Sequence, residues 1–106
     1  MRVVLPVMLG VALVIASALA LAQGQGAAEI GKKVFVDQGC YGCHAIEKFG
    51  TPIGPDLSHV GSKYPEASLA QWLRDPASQK PTAHMPKLAL TEQEVRALAA
   101  YLATLR

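Results

Sequence analysis

A chain of 106 residues holds one domain, and ten basic against eight acidic side chains leave a net charge of +2. That balance excludes nucleic-acid binding argued from charge, and losing Arg2 with its segment would reduce the excess to +1. The two cysteines stand three positions apart and would close too small a loop to staple a domain of this size.

Residues Val3 to Ala22 carry no charge, and every acidic residue lies at Glu29 or beyond. The order is Met1-Arg2, an apolar run, then Ala18-Leu19-Ala20 and Ala20-Leu21-Ala22. A positive start, an apolar centre and small-residue endings mark a secretory signal peptide. Residues 1–22 are therefore expected to be removed after Ala22, leaving 84 residues that begin with a flexible linker at 23–26. The alternative is a retained anchor, since about 20 apolar residues span a bilayer and Arg2 would stay on the cytoplasmic side. Both readings place the folded part, residues 27–106, outside the cytoplasm.

From Ala27 to Gln38 the spacing predicts a helix, with Ile30, Val34 and Phe35 on one side and Lys32 and Lys33 on the other. Gly39 ends it. Ala45 to Tyr64 is rich in Gly and Pro and reads as loop. Pro65-Glu66 opens a short helix carrying Leu69, Trp72 and Leu73, closed by Asp75-Pro76. Ala77 to Leu90, punctuated by Pro81 and Pro86, is loop again. Thr91-Glu92-Gln93-Glu94 is a capping box, and Val95, Leu98, Leu102 and Leu105 form an amphipathic stripe behind it. No run alternates long enough for a sheet, so the domain is all-α with long loops. Three short helices supply little core for a domain of this size, and a cofactor would fill the middle.

Cys40-Tyr41-Gly42-Cys43-His44 is C-x-x-C-H, the attachment sequence for c-type haem. Two thiols one helical turn apart can each add to a vinyl group on one porphyrin edge. The histidine beside the second then becomes the proximal iron ligand. A C-x-x-C pair also occurs as a thioredoxin-type redox motif, as half a zinc site or as an exported disulfide. The βαβ context of the first and a second ligand pair for the second are missing from the sequence. The histidine, the leader and the loop-rich all-α frame agree with one haem c, covalent through Cys40 and Cys43.

With the leader gone, Met85 is the only methionine left. It lies in Lys80-Pro81-Thr82-Ala83-His84-Met85-Pro86, just before the last helix. A thioether as sixth ligand favours ferrous iron and raises the potential, and the prolines would stiffen the loop that holds it. Core filling is the plainer role for a lone methionine, and His84 and His59 are rival ligands.

From about Ala27 to Arg106 the chain resembles class I c-type cytochromes. Gly31 and Phe35 match positions where, in that family, the N-terminal helix crosses the C-terminal helix near a tyrosine such as Tyr101. Gly54-Pro55-Asp56-Leu57 matches the family's G-P-x-L segment, which implies that the Pro55 carbonyl accepts the Nδ1 proton of His44. Trp72-Leu73-x-x-Pro76 with Lys80-Pro81 and Met85-Pro86 looks like short monohaem domains found alone or fused to oxidase subunits, and implies a haem-pocket place for Trp72. The implied fold is a cytochrome c fold of three to four short helices with long loops around the haem.

The resemblance implies a single-electron carrier, not an enzyme, with His44 and Met85 as axial ligands and outer-sphere transfer through an exposed haem edge. Lys48, Lys63, Lys80 and Lys87 could rim that edge and steer an acidic partner, although the balanced net charge favours scattered, solvated lysines. The implied partners are a redox donor and acceptor of a respiratory or other periplasmic chain, meeting a chain monomeric in isolation. Two alternatives stand beside it: a haem subunit of a membrane-bound oxidoreductase complex, and a peroxidase or gas sensor with a labile sixth position. The last would need distal acid–base groups, for which only His59 or His84 could serve.

Overall fold

A computed structural model describes residues 26–106. The expected leader, its cut after Ala22 and the linker up to Gln25 lie outside the described residues. The described elements are helix α1 (residues 26–37), a 3-10 turn at Cys40–Gly42, and strands β1 (Ala45–Ile46) and β2 (Phe49–Gly50). Helices α2 (Val60–Lys63), α3 (Glu66–Arg74), α4 (Pro76–Gln79) and α5 (Glu92–Ala103) follow. Among the described residues no helix is long and apolar enough to cross a membrane.

Val34 and Phe35 of α1 turn inward while Lys32 and Lys33 stay in solvent, as the helical period requires. Ile30 departs from that expectation: it is 54% exposed. It lies one turn N-terminal to Val34, where α1 runs past the core, and lines a groove of about 640 Å³ with Ala67, Ala70, Ala97 and Ala100. Past α1 the chain reverses at Gly39, whose φ of 73° is left-handed backbone that glycine adopts without steric cost.

The crossing of α1 with α5 depends on the absence of a side chain at Gly31. A Cβ there would run into the Ala97 carbonyl and lie 2.7 Å from the Tyr101 Cβ. Phe35, 2% exposed, meets the edges of Tyr101 at 5.9 Å and Tyr41 at 4.8 Å between ring centroids. Each such aromatic pair adds about 0.5–1.5 kcal/mol to area burial. Half-buried among these rings with Tyr41 alongside, the Tyr101 phenol is pushed above its usual pKa by partial desolvation.

Helix α5 begins with the expected capping box: the Glu94 N–H donates to Thr91 Oγ1 at 3.1 Å, and the Thr91 N–H to Glu94 Oε1 at 3.0 Å. Val95, Leu98 and Leu102 are buried against Leu69, Ala70 and Leu73 of α3 in one core. Each fully buried aliphatic side chain contributes about 1.5–3 kcal/mol. Leu105, fourth in the predicted stripe, falls beyond the helix end and packs on the core half-buried. Arg74 at the end of α3 grips the Glu92 carboxylate at the start of α5, with Nε at 3.1 and 3.0 Å from its oxygens and Nη2 adding a third bond. Both side chains are exposed, so the pair sets register more than it adds stability.

Two stretches expected to be loop contain short regular structure. Ala45–Ile46 and Phe49–Gly50 pair as an antiparallel hairpin, with Ala45 opposite Gly50 and Ile46 opposite Phe49. Its turn places Glu47 at φ 53°. Helices α2 and α4, four residues each, bring the described helices to five against the three or four expected. Pro76 sits in the first turn of α4, where its fixed φ favours helix and its missing N–H costs nothing. Single turns and two-residue strands are too short for hydrophobic periodicity to register.

Candidate functional site

The 3-10 turn after Gly39 sets the two sulfurs. Gly42 N–H donates to the Gly39 carbonyl at 2.9 Å, and His44 N–H to the Cys40 carbonyl at 2.9 Å, so Cys40, Cys43 and His44 share one tight turn. Cys40 is half-buried against the core, Cys43 is exposed, and both are free thiols. Burial pushes the Cys40 thiol up, opposite to the lowered pKa that a thioredoxin-type nucleophile needs. Among the described residues no three His, Cys, Asp or Glu side chains converge as a metal cluster, so the pair has no partners for a zinc site.

His44 is held from one side. Its Nδ1–H donates to the Pro55 carbonyl oxygen at 2.7 Å. A carbonyl only accepts, so the proton belongs on Nδ1 and the Nε2 lone pair remains available. Gly54 permits the approach: a Cβ there would lie 2.9 Å from His44 Cε1 and 3.1 Å from Nδ1. The loop carrying Pro55 is stitched to the cysteine turn. Thr51 N–H donates to the Tyr41 carbonyl at 3.0 Å, Gly54 N–H to the Cys43 carbonyl, and Leu57 N–H to the Ala45 carbonyl at 2.9 Å.

Ser58 closes the loop from within. Buried, it accepts the Glu47 N–H at 2.7 Å on its hydroxyl, while its own N–H donates to Asp56 Oδ1 at 2.8 Å. Ser58, through its hydroxyl and its N–H, holds the Asp56 carboxyl below the usual carboxylate range.

Met85 belongs to the other loop. It is half-buried and packs on the same core as Cys40, Tyr41 and Leu57. The Trp72 indole Nε1–H, projecting from α3, donates to Met85 Sδ at 3.2 Å. His59 and His84 are exposed, as are Lys48, Lys63, Lys80 and Lys87. The structure thus assembles Cys40, Cys43, His44 and Pro55 into one cluster and Trp72 with Met85 into a second, both on one core.

The donor set fits a c-type haem: two free thiols on one turn, an imidazole fixed through Nδ1 with Nε2 free, and a thioether with one lone pair engaged and the other available. The contacts of Gly54 with His44, the Ser58 anchor and the indole bond to Met85 went unread in the sequence. They join residues 10 to 13 positions apart through loops, and no periodic signal marks them.

Helices packed at backbone distance, with a C-x-x-C-H turn and a loop thioether on one core, define a small domain for covalent haem. The Cytochrome c family model matches residues 28–106, and the chain belongs to this family as a class I c-type cytochrome, a domain of haem-based electron transfer. Cytochrome c oxidase subunit 2 of Alkalihalophilus pseudofirmus is 35% identical over 85 residues. The match covers 72% of this chain and 25% of that relative, so the chain spans about a quarter of its length.

Proposed function

We propose that residues 27–106 are an exported single-electron carrier, with one haem c on Cys40 and Cys43 and with His44 and Met85 as axial ligands. The observation that carries this reading is the His44 Nδ1–Pro55 bond at 2.7 Å, which orients an imidazole next to two free thiols and leaves Nε2 free to bind iron. Bound haem supplies a one-electron ferric/ferrous couple. Cys40 and Cys43 would anchor it through thioethers, and the carbonyl of Pro55 would hold the imidazole in one tautomer. Met85 would close the sixth position, leaving no open site for substrate and favouring outer-sphere transfer over peroxidase or sensor chemistry. Trp72 lines this pocket.

Residues 1–22 are read as a signal peptide directing the domain to the periplasm or its equivalent, where a redox donor and acceptor would meet it in small, transient encounters. The relative named for cytochrome c oxidase subunit 2 favours a second reading, in which the domain is the haem module of a membrane respiratory complex, held there by a retained residue 3–22 anchor.

Absorption spectra of oxidised and reduced protein test the ligation. The weak far-red band of methionine-ligated ferric haem is expected, and it should vanish in Met85→Ala. A high-spin ferric spectrum that readily takes added ligands would replace the carrier reading with the sensor or peroxidase one. The mature N-terminus, with copurification of larger subunits, separates a free carrier from a bound module.

A further inference from the structure

We infer that Ser58 is a positioning residue for His44: its buried hydroxyl holds the Pro55 carbonyl at bonding distance from the imidazole and so sets how strongly that imidazole donates to iron; the inference rests on the His44 ligation proposed above. Ser58 is 9% exposed and is the one buried polar side chain among the described residues. A buried hydroxyl costs free energy unless it is bonded, and this one accepts the Glu47 N–H at 2.7 Å.

That bond is one of three that join two short segments, residues 44–47 and residues 55–58. His44 Nδ1–H donates to the Pro55 carbonyl at 2.7 Å, Leu57 N–H to the Ala45 carbonyl at 2.9 Å, and Glu47 N–H to the Ser58 hydroxyl at 2.7 Å. The imidazole stands at one end of this ladder and Ser58 at the other. Glu47 has a φ of 53°, left-handed backbone that a residue with a side chain keeps only where its surroundings impose it. Ser58 also acts on its own segment, because its N–H donates to Asp56 Oδ1 at 2.8 Å and so fixes the residue that follows Pro55. One serine therefore restrains both sides of the His44–Pro55 bond without touching either residue.

The chemistry follows from the far end of the ladder. A carbonyl close to the Nδ1 proton raises the basicity of the imidazole, and stronger donation through Nε2 favours ferric iron. Without the Ser58 hydroxyl the Glu47 turn is released and the Pro55 carbonyl recedes from Nδ1. The couple should then move toward ferrous while His44 stays in place.

The test uses the haem-loaded full chain, comparing wild type with Ser58→Ala and with Ser58→Thr, which keeps the hydroxyl. Hyperfine-shifted His44 ring protons in the ferric wild type report the ligation independently of the variants. We expect Ser58→Ala to shift the ferric/ferrous equilibrium several-fold toward ferrous, where tenfold is equivalent to about 59 mV. The His44 Nδ1 proton of its reduced form should exchange several-fold faster with solvent. Ser58→Thr should recover both. A Ser58→Ala protein that is less stable but keeps the wild-type potential and Nδ1 exchange would overturn the inference, since the hydroxyl would then be an ordinary buried bond. Equal shifts in the two variants would overturn it too, with the ligation intact. Absence of shifted His44 signals from the wild type would instead remove the ligation and the inference together. Should the variants not take up haem, hydrogen exchange in the reduced wild type decides. Equal protection of the Glu47 amide and the His44 Nδ1 proton supports a shared frame, and a Glu47 amide that exchanges far faster overturns it.

Discussion

The two loops that meet at the site are built differently. The segment from Ala45 to His59 is pinned to the cysteine turn by backbone bonds from Thr51 and Gly54, and tied across itself by the Leu57–Ala45 backbone bond and the buried Ser58 hydroxyl, which accepts the Glu47 N–H. The segment from Lys80 to Leu90 has one backbone bond within it, Ala83 N–H to the Lys80 carbonyl at 2.9 Å, and one at its edge, Lys80 N–H to the Pro76 carbonyl at 3.0 Å. It otherwise depends on prolines, apolar packing and the indole contact. The His44 imidazole, next to the first loop, is fixed by the Pro55 carbonyl at 2.7 Å. The Met85 thioether in the second is held by a single side-chain bond, so that under the proposed ligation Met85 would be the weaker and more tunable ligand.

The largest effect should come from disturbing the pinned loop at its tightest point. Gly54→Ala would press a methyl against the His44 ring, and overpacking of this kind costs about 1–3 kcal/mol. Denaturant unfolding of the haem-loaded protein, with haem content per chain, measures it; unchanged values would mean the loop yields easily and the contrast between loops is false. Ser58→Ala should follow at about 1–2 kcal/mol, because the Glu47 N–H loses its acceptor in a part-buried place.

In the other loop, Pro86→Ala should cost only about 0.4–1 kcal/mol, through the greater freedom of the unfolded chain. It should nevertheless raise imidazole displacement of Met85 more than Ser58→Ala does. The reverse order would make the Lys80–Leu90 loop the stiffer of the two. The smallest effect concerns pH. Asp56 has a lowered folded-state pKa, so its contribution is present above the ordinary carboxylate value and is lost as pH falls through that lowered value. Asp56→Asn should flatten the acid limb of a thermal-stability profile; an unchanged limb would show that the Ser58 bonds are not coupled to ionisation.

Much of this arrangement was open to a reader of the sequence wherever a local rule applied. The capping box at Thr91, the stripe of Val95, Leu98 and Leu102, the stop at Gly39 and the haem motif each depend on neighbours within a turn or two of helix. The resemblance carried by Gly31, Phe35 and Tyr101 led to the helix crossing. Ile30 was misjudged because one helical face can extend past the end of the core it serves. The hairpin, α2 and α4 were missed because one turn of helix or two residues of strand are shorter than any period.

By itself, then, the sequence determined the chemistry available: two thiols and an imidazole at fixed spacing, one thioether between prolines, and helical faces able to bury a small core. Only the tertiary structure decided which groups act on one another. Gly54 clears the way for the His44 ring and Trp72 reaches Met85, whereas the bond from His44 to the Pro55 carbonyl was already implied by the family resemblance of Gly54-Pro55-Asp56-Leu57. These contacts depend on where loops return after ten or more residues. That return is set by packing on the common core and by backbone bonds between segments, which no local pattern encodes.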